Sequence, residues 1–195
     1  MLSRFVILVL LLLAGCRSAA DLAPAASVSK LDTTSPSDWE KIAATYPPCA
    51  LSADSADATP RVEIPRLRIS LPLPPGAELS EGGEGPGETW VWRFAPDSAV
   101  LHLQRLAGIE GAADYTMILE DAGFESAADC SHRVDGHAAV VRRMRFPDAE
   151  RTFYGATIQM IPATGESLGA SVLAPGEERR DQLLSVLLHL RVHPL

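Results

Sequence analysis

The dipeptide Asp135-Gly136 constrains this chain more than any other local feature. It stands between two extended-looking runs, Cys130–Val134 and His137–Phe146. A two-residue connection of this kind needs positive φ at both positions, which Asp tolerates and Gly adopts freely. The two runs are therefore expected as an antiparallel hairpin. The same period of two recurs elsewhere. Thr89–Phe94 places Trp90, Trp92 and Phe94 on one strand face. After a turn in Ala95–Ser98, Ala99–Leu106 sets Leu101 and Leu103 against Val100 and His102. Thr152–Ile161 aligns Tyr154, Ala156, Ile158 and Met160, and Leu168–Leu173 is the last clear strand.

Helices are expected around these strands. Ser37-Asp38-Trp39-Glu40 reads as a capping box with Ser37 as the cap. Trp39, Ile42, Ala43 and Tyr46 would share its buried face, and Pro47-Pro48 would stop it. Gly108–Ala128 is expected to contain a second helix. A third, Glu177–Leu188, follows Pro175-Gly176, with Leu183, Val186, Leu187 and Leu190 in line and Leu184 and Leu188 widening the stripe. Val62–Leu71 alternates in two pieces around Pro65, which predicts an edge strand or bulge. Pro72–Glu88 is expected as a loop or a wide connection, and an acidic one. The order predicts an α+β fold, an antiparallel sheet covered by helices.

The amino terminus adds an address. Arg4 precedes the unbroken apolar run Phe5–Ala14. That run is far shorter than the about 20 residues of a spanning helix and suits an export signal. Leu13-Ala14-Gly15-Cys16 matches the lipobox, and the segment resembles a bacterial lipoprotein precursor. The resemblance implies cleavage before Cys16 and palmitate-type acylation there. Two or more acyl chains give stable membrane attachment. Arg17 follows the anchor instead of Asp, which in the resembled sorting pattern favours the periplasmic face of the outer membrane. The expected organisation is a signal peptide over 1–15, an acylated cysteine and tether over 16–36, and one domain over 37–195 with its core in about 61–193.

The remaining cysteines, Cys49 and Cys130, are expected to form a disulfide, because an exported chain meets oxidising conditions. A metal site of Cys130, His132 and His137 is the sharper alternative, although its spacing matches no paired zinc motif. Gly165-Glu166-Ser167-Leu168-Gly169 has the residues of a nucleophile elbow. That pattern needs a helix after the serine, whereas Leu168–Leu173 looks extended. Ser167, and His132 beside Cys130, remain the catalytic candidates. Trp90 and Trp92 are either core or a stacking platform for a ligand. Arg142, Arg143, Arg145 and Arg151 make one region locally basic, or form the wet face of a sheet. No cofactor is expected. With 25 acidic against 17 basic residues and a net charge of -8 in 195 residues, nucleic acid is not an expected partner.

Leu73-Pro74-Pro75-Gly76, the Val134-Asp135-Gly136 hairpin and the closing Leu188–Val192 segment also resemble the Mog1/PsbP-like group. The resemblance implies a sandwich of sheet and helices, with binding and assembly roles. The reading is a lipoprotein anchored to the membrane through its lipid, with a non-enzymatic binding or envelope-maintenance role and an envelope protein or lipid as its partner. A small anchored hydrolase and a carrier of lipids or other hydrophobic ligands are the alternatives.

Overall fold

The computed structural model describes residues 35–51, 60–82, 88–107, 123–147, 152–163 and 166–194, all within the compact unit Asp32–Leu195. Cys16 and the rest of the expected export segment and tether lie outside the described residues. Helix α1 is Pro36–Ala43, and strands β1 to β5 are Arg61–Ile64, Ile69–Pro72, Ala77–Gly82, Thr89–Phe94 and Ala99–Ala107. Strands β6 to β9 are Glu125–Val134, His137–Pro147, Thr152–Ala163 and Glu166–Ala174. Helix α2, Glu177–Leu188, and strand β10, Arg191–Val192, close the chain. The fold is α+β. An open seven-stranded antiparallel sheet has the order β3-β4-β5-β9-β8-β7-β6, and a three-stranded antiparallel sheet has the order β1-β2-β10.

The hairpin at Asp135-Gly136 forms as its residues require, with φ of 49° and 82°. Its strands pair from Val134↔His137 outwards. The inner face of the large sheet holds Leu101, Leu103, Val141, Ala156, Ile158 and Met160. These pack with Leu183, Leu184 and Leu187 of α2 and with Ile69 and Leu71 of β2. Each such side chain taken fully from water contributes about 1.5–3 kcal/mol. Helix α1 covers part of the opposite face, where Trp39 and Ala43 meet Val140 and Ile161. The Trp39 indole N–H donates to the Ala138 carbonyl at 3.0 Å, so a buried polar atom is satisfied.

Several expectations are corrected. Ser35 caps α1, not Ser37: its hydroxyl accepts from the Asp38 amide at 3.2 Å. Pro36 then takes the first helical position, where its missing N–H costs nothing. Pro65 lies just past the end of β1, the edge strand expected there. It opens the turn between β1 and β2, in which Arg68 has φ of 53°. Pro72–Glu88 is not one loop, because β3 lies within it and pairs with β4. The alternation that marks a strand was thin there, with Leu79 the one large apolar residue in β3. Gly76, at φ 85°, lets the chain bend into that strand.

The helix expected over Gly108–Ala128 does not reach its end. Gly123 has φ of 89°, and residues from Glu125 onward pair with β7. Residues 108–122 lie outside the described residues. Ser126 and Ala128 flank a register irregularity, which hid the strand's period. At Gly155 a β-carbon would fall 2.9 Å from Met144 Cγ, so the glycine makes room for the Phe124–Met144 group.

Candidate functional site: an apolar cleft at one end of the sheet

A cleft of about 720 Å³ lies between β1 with its following turn and the β3–β4 pair. This is the size of many small-molecule sites. The alternation of β4 turns both Trp90 and Trp92 inward, and cross-strand pairing sets Leu79 opposite Trp92 and Gly82 opposite Trp90. The tryptophans are core residues and cleft wall at once, 8% and 3% exposed. Pro74 and Pro75 form another wall, and their fixed φ stiffens it. The rim is different. Leu79 is 57% exposed and Val62 is 39% exposed, the two large apolar side chains that stand out among the described residues. Both line the cleft. Paired exposed apolar groups beside a concave surface mark a contact site more than scattered ones do. Glu63 lies on the same wall, with its carboxylate 3.0 Å from His193 Nε2.

Cys49 and Cys130 are joined in a disulfide across a sequence separation of 81, with Cα atoms 4.9 Å apart. Cys130 in this state offers neither a thiolate nucleophile nor a metal ligand. Among the described residues, no three His, Cys, Asp or Glu side chains gather as a metal site. His132 lies on β6 and His137 begins β7. Burial, and then the charge of His189, hold the His132 imidazole below its ordinary value. Ser167 is buried in β9 and the chain continues from it as strand. The sharp strand-to-helix turn of a nucleophile elbow is absent at this serine.

The described arginines of the basic region are paired with carboxylates. Arg142 donates through two nitrogens to Asp129 at 2.8 and 2.6 Å. Arg143 lies 3.5 Å from Asp181, and Arg145 lies 2.6 Å from Glu125. Arg151 lies outside the described residues. Among the described residues, no helix is long and apolar enough to cross a membrane.

One feature was missed. His102, Ser171, Thr157, Arg142 and Asp129 stand in register across five adjacent strands, forming a polar row on the face opposite α2. Burial pushes the His102 imidazole down to about 4, so it is neutral at ordinary pH. Its Nδ1 lies 3.4 Å from Ser171 Oγ. The signal was present in each strand's alternation, but the order of the strands was not.

No family model matches the chain, and no curated protein matches it. The fold has distant likenesses among solved structures. A Bacteroides thetaiotaomicron protein shares 10% identity at a TM-score of 0.47, over 70% of this chain and 49% of its own. The chain thus spans about half the length of that structure. A Pseudomonas aeruginosa protein of unknown function shares 16% at a TM-score of 0.44, over 70% of this chain and 98% of its own. LpqN of Mycobacterium tuberculosis, involved in cell envelope biogenesis, shares 17% at a TM-score of 0.43, over 71% of this chain and 87% of its own.

Proposed function

We propose that this chain is an envelope lipoprotein, anchored through Cys16, whose domain binds a partner and performs no chemistry on it. On this reading residues 1–15 are removed as the signal peptide, and a tether leads from Cys16 to the cap of α1 at Ser35. The lipobox and the short apolar run support the anchor, and Arg17 supports the periplasmic face of the outer membrane. The observation that carries the binding role is the apolar cleft, with Val62 and Leu79 exposed at its rim. The mature fold is read as Mog1/PsbP-like, supported by the Leu73–Gly76 connection, the hairpin into β7 and the closing helix α2.

A carrier of lipids or other hydrophobic ligands would use the same cleft, and the tryptophans in its wall favour that second reading. The hydrolase alternative has less support, because Ser167 is buried in a strand and Cys130 is bonded to Cys49.

Two measurements on the full chain in its native envelope test the proposal. Cys16→Ser is expected to abolish labelling by an alkyne-tagged palmitate and to release the chain from membranes. Retention of both would sink the anchor. A photo-crosslinking amino acid at Leu79 is expected to give a discrete adduct, while the same group at the exposed Glu178 of α2 gives none. Equal yields at the two sites would remove the case for the cleft.

A further inference from the structure

Three cysteines stand in the sequence, Cys16, Cys49 and Cys130, and the fold bonds the last two. That bond depends on contacts between segments distant along the chain. Residues 47–49 form a strap along the outer strand β6 and close that end of the large sheet. There the Cys49 amide donates to Ser131 O at 2.8 Å, and the Ser131 amide donates to Pro47 O at 2.8 Å. β6 is held in turn by β7. Helix α1, just before the strap, is fixed to β7 through the Trp39 hydrogen bond to Ala138 O at 3.0 Å. Cys49 therefore meets Cys130 once helix, hairpin and strap are assembled, across a separation of 81 residues.

Before folding, Cys16 is the nearer partner for Cys49. It lies less than half as far from Cys49 along the chain as Cys130 does. The chance of closing a flexible loop falls as about the three-halves power of its length. An unfolded chain therefore brings Cys49 to Cys16 about fourfold more often than to Cys130. Oxidation proceeds by thiolate exchange. One cysteine thiolate attacks a disulfide of the oxidant, and a second displaces the oxidant's sulfur, so that the oxidant takes up two electrons and two protons and leaves as a dithiol. A bond between Cys16 and Cys49 would leave Cys130 a free thiol and the strap untied. Acylation removes that competitor. It replaces the Cys16 S–H by an S–C bond to a lipid, the proton leaving with the displaced headgroup, and a sulfur so bonded forms no thiolate.

We infer that acylation of Cys16 must precede oxidation of this chain, because it blocks the thiol that is closest to Cys49 in the unfolded state and leaves Cys130 as the one partner. This rests on the anchor proposed above. It goes further, because it gives the lipid a part in forming the fold. It also orders two reactions of the envelope, acyl transfer from a membrane lipid and then thiol oxidation by a disulfide-bearing oxidant.

The test refolds the full chain, reduced and with Cys16 unmodified, from urea into mild detergent with excess glutathione disulfide. Samples are quenched with N-ethylmaleimide and their bonds mapped by mass spectrometry. Among the first bonds within the chain, Cys16–Cys49 is expected to exceed Cys49–Cys130 by about fourfold. Cys16→Ser is expected to raise the yield of Cys49–Cys130, once Cys49 is fully oxidised, by about threefold or more. The chain taken from its native envelope after feeding with alkyne-tagged palmitate is expected to carry both the label on Cys16 and the Cys49–Cys130 bond. Predominance of Cys49–Cys130 from the first quench of the unmodified chain overturns the inference. So does an equal yield from Cys16→Ser. In both cases a labelled Cys16 leaves the anchor standing. Competition at Cys49 without any palmitate label removes the anchor, and the ordering of the two reactions with it.

Discussion

The two ends of the large sheet are finished in different ways. At the β6 end, the chain following α1 returns across the outer strand and is tied there by backbone hydrogen bonds, by the Ser131 hydroxyl on Tyr46 O at 3.1 Å, and by the disulfide. At the β3 end, the outer strand has a register shift between Leu79 and Glu81 and leaves an apolar side chain in water. A bulge and nearby acids discourage indiscriminate edge pairing. The difference teaches where stability and where recognition are concentrated. The β6 end carries a covalent strap, while the β3 end carries an apolar side chain that stands exposed among the described residues.

The largest expected effect is at the closed end. Replacing both Cys49 and Cys130 by Ala should cost about 4 kcal/mol in the chain-entropy account. Urea unfolding without reductant would measure it, and a cost below about 1 kcal/mol would show that the other strap contacts suffice without the bond. Between the ends stands His102. Its imidazole is held down to about 4, against an ordinary value near 6.5. The unfolded chain therefore binds the extra proton between those values. The stabilisation is complete above about 6.5 and is lost as the pH falls to about 4, by up to about 3 kcal/mol. His102→Gln should flatten that part of the stability–pH curve, and an unchanged slope would place the titration elsewhere.

Smaller effects sharpen the contrast. Trp39→Phe keeps most of the apolar packing of α1 but removes the hydrogen bond to Ala138 O, and should cost about 1 kcal/mol. At the open end Leu79→Ser should change stability by no more than about 0.5 kcal/mol. The same substitution should abolish crosslinking from a probe placed at Val62. If Leu79→Ser instead destabilises as much as Trp39→Phe, the rim belongs to the core and the contrast between the ends fails.

Local signals were legible where one short segment contains its own instruction. Asp135-Gly136 names a turn because few residue pairs accept two positive φ angles. The apolar stripe of α2 matches its buried residues, Leu183, Leu184, Val186, Leu187 and Leu188. The alternation Trp90, Trp92, Phe94 likewise names an inward face. Strand β3 was hidden because a short edge strand beside Pro and Gly carries almost no period. β10 was hidden because two residues cannot show one. The start of β6 was misread because Gly123 and the irregularity near Ser126 broke the pattern.

The candidate site was legible only in part. Trp90 and Trp92 could be named from the sequence, but their two roles could not be told apart there. The cleft also needs Val62 and Leu79, which are brought to one rim by strands of different sheets. The arginine-rich stretch gave the opposite lesson. Its charge is plain in the sequence, while the carboxylates that answer it come from β6 and α2.

The sequence by itself determined the hairpins, the closing helix, the alternating faces and the lipobox pattern, because each depends on residues adjacent along the chain. Tertiary structure alone decided which strands are neighbours, and with that the register of the polar row through His102 and Arg142. It also decided which outer strand is covered and which is left beside a cleft. Those outcomes depend on long-range pairing, where the packing of the whole sheet selects among strand orders that the local alternation permits equally.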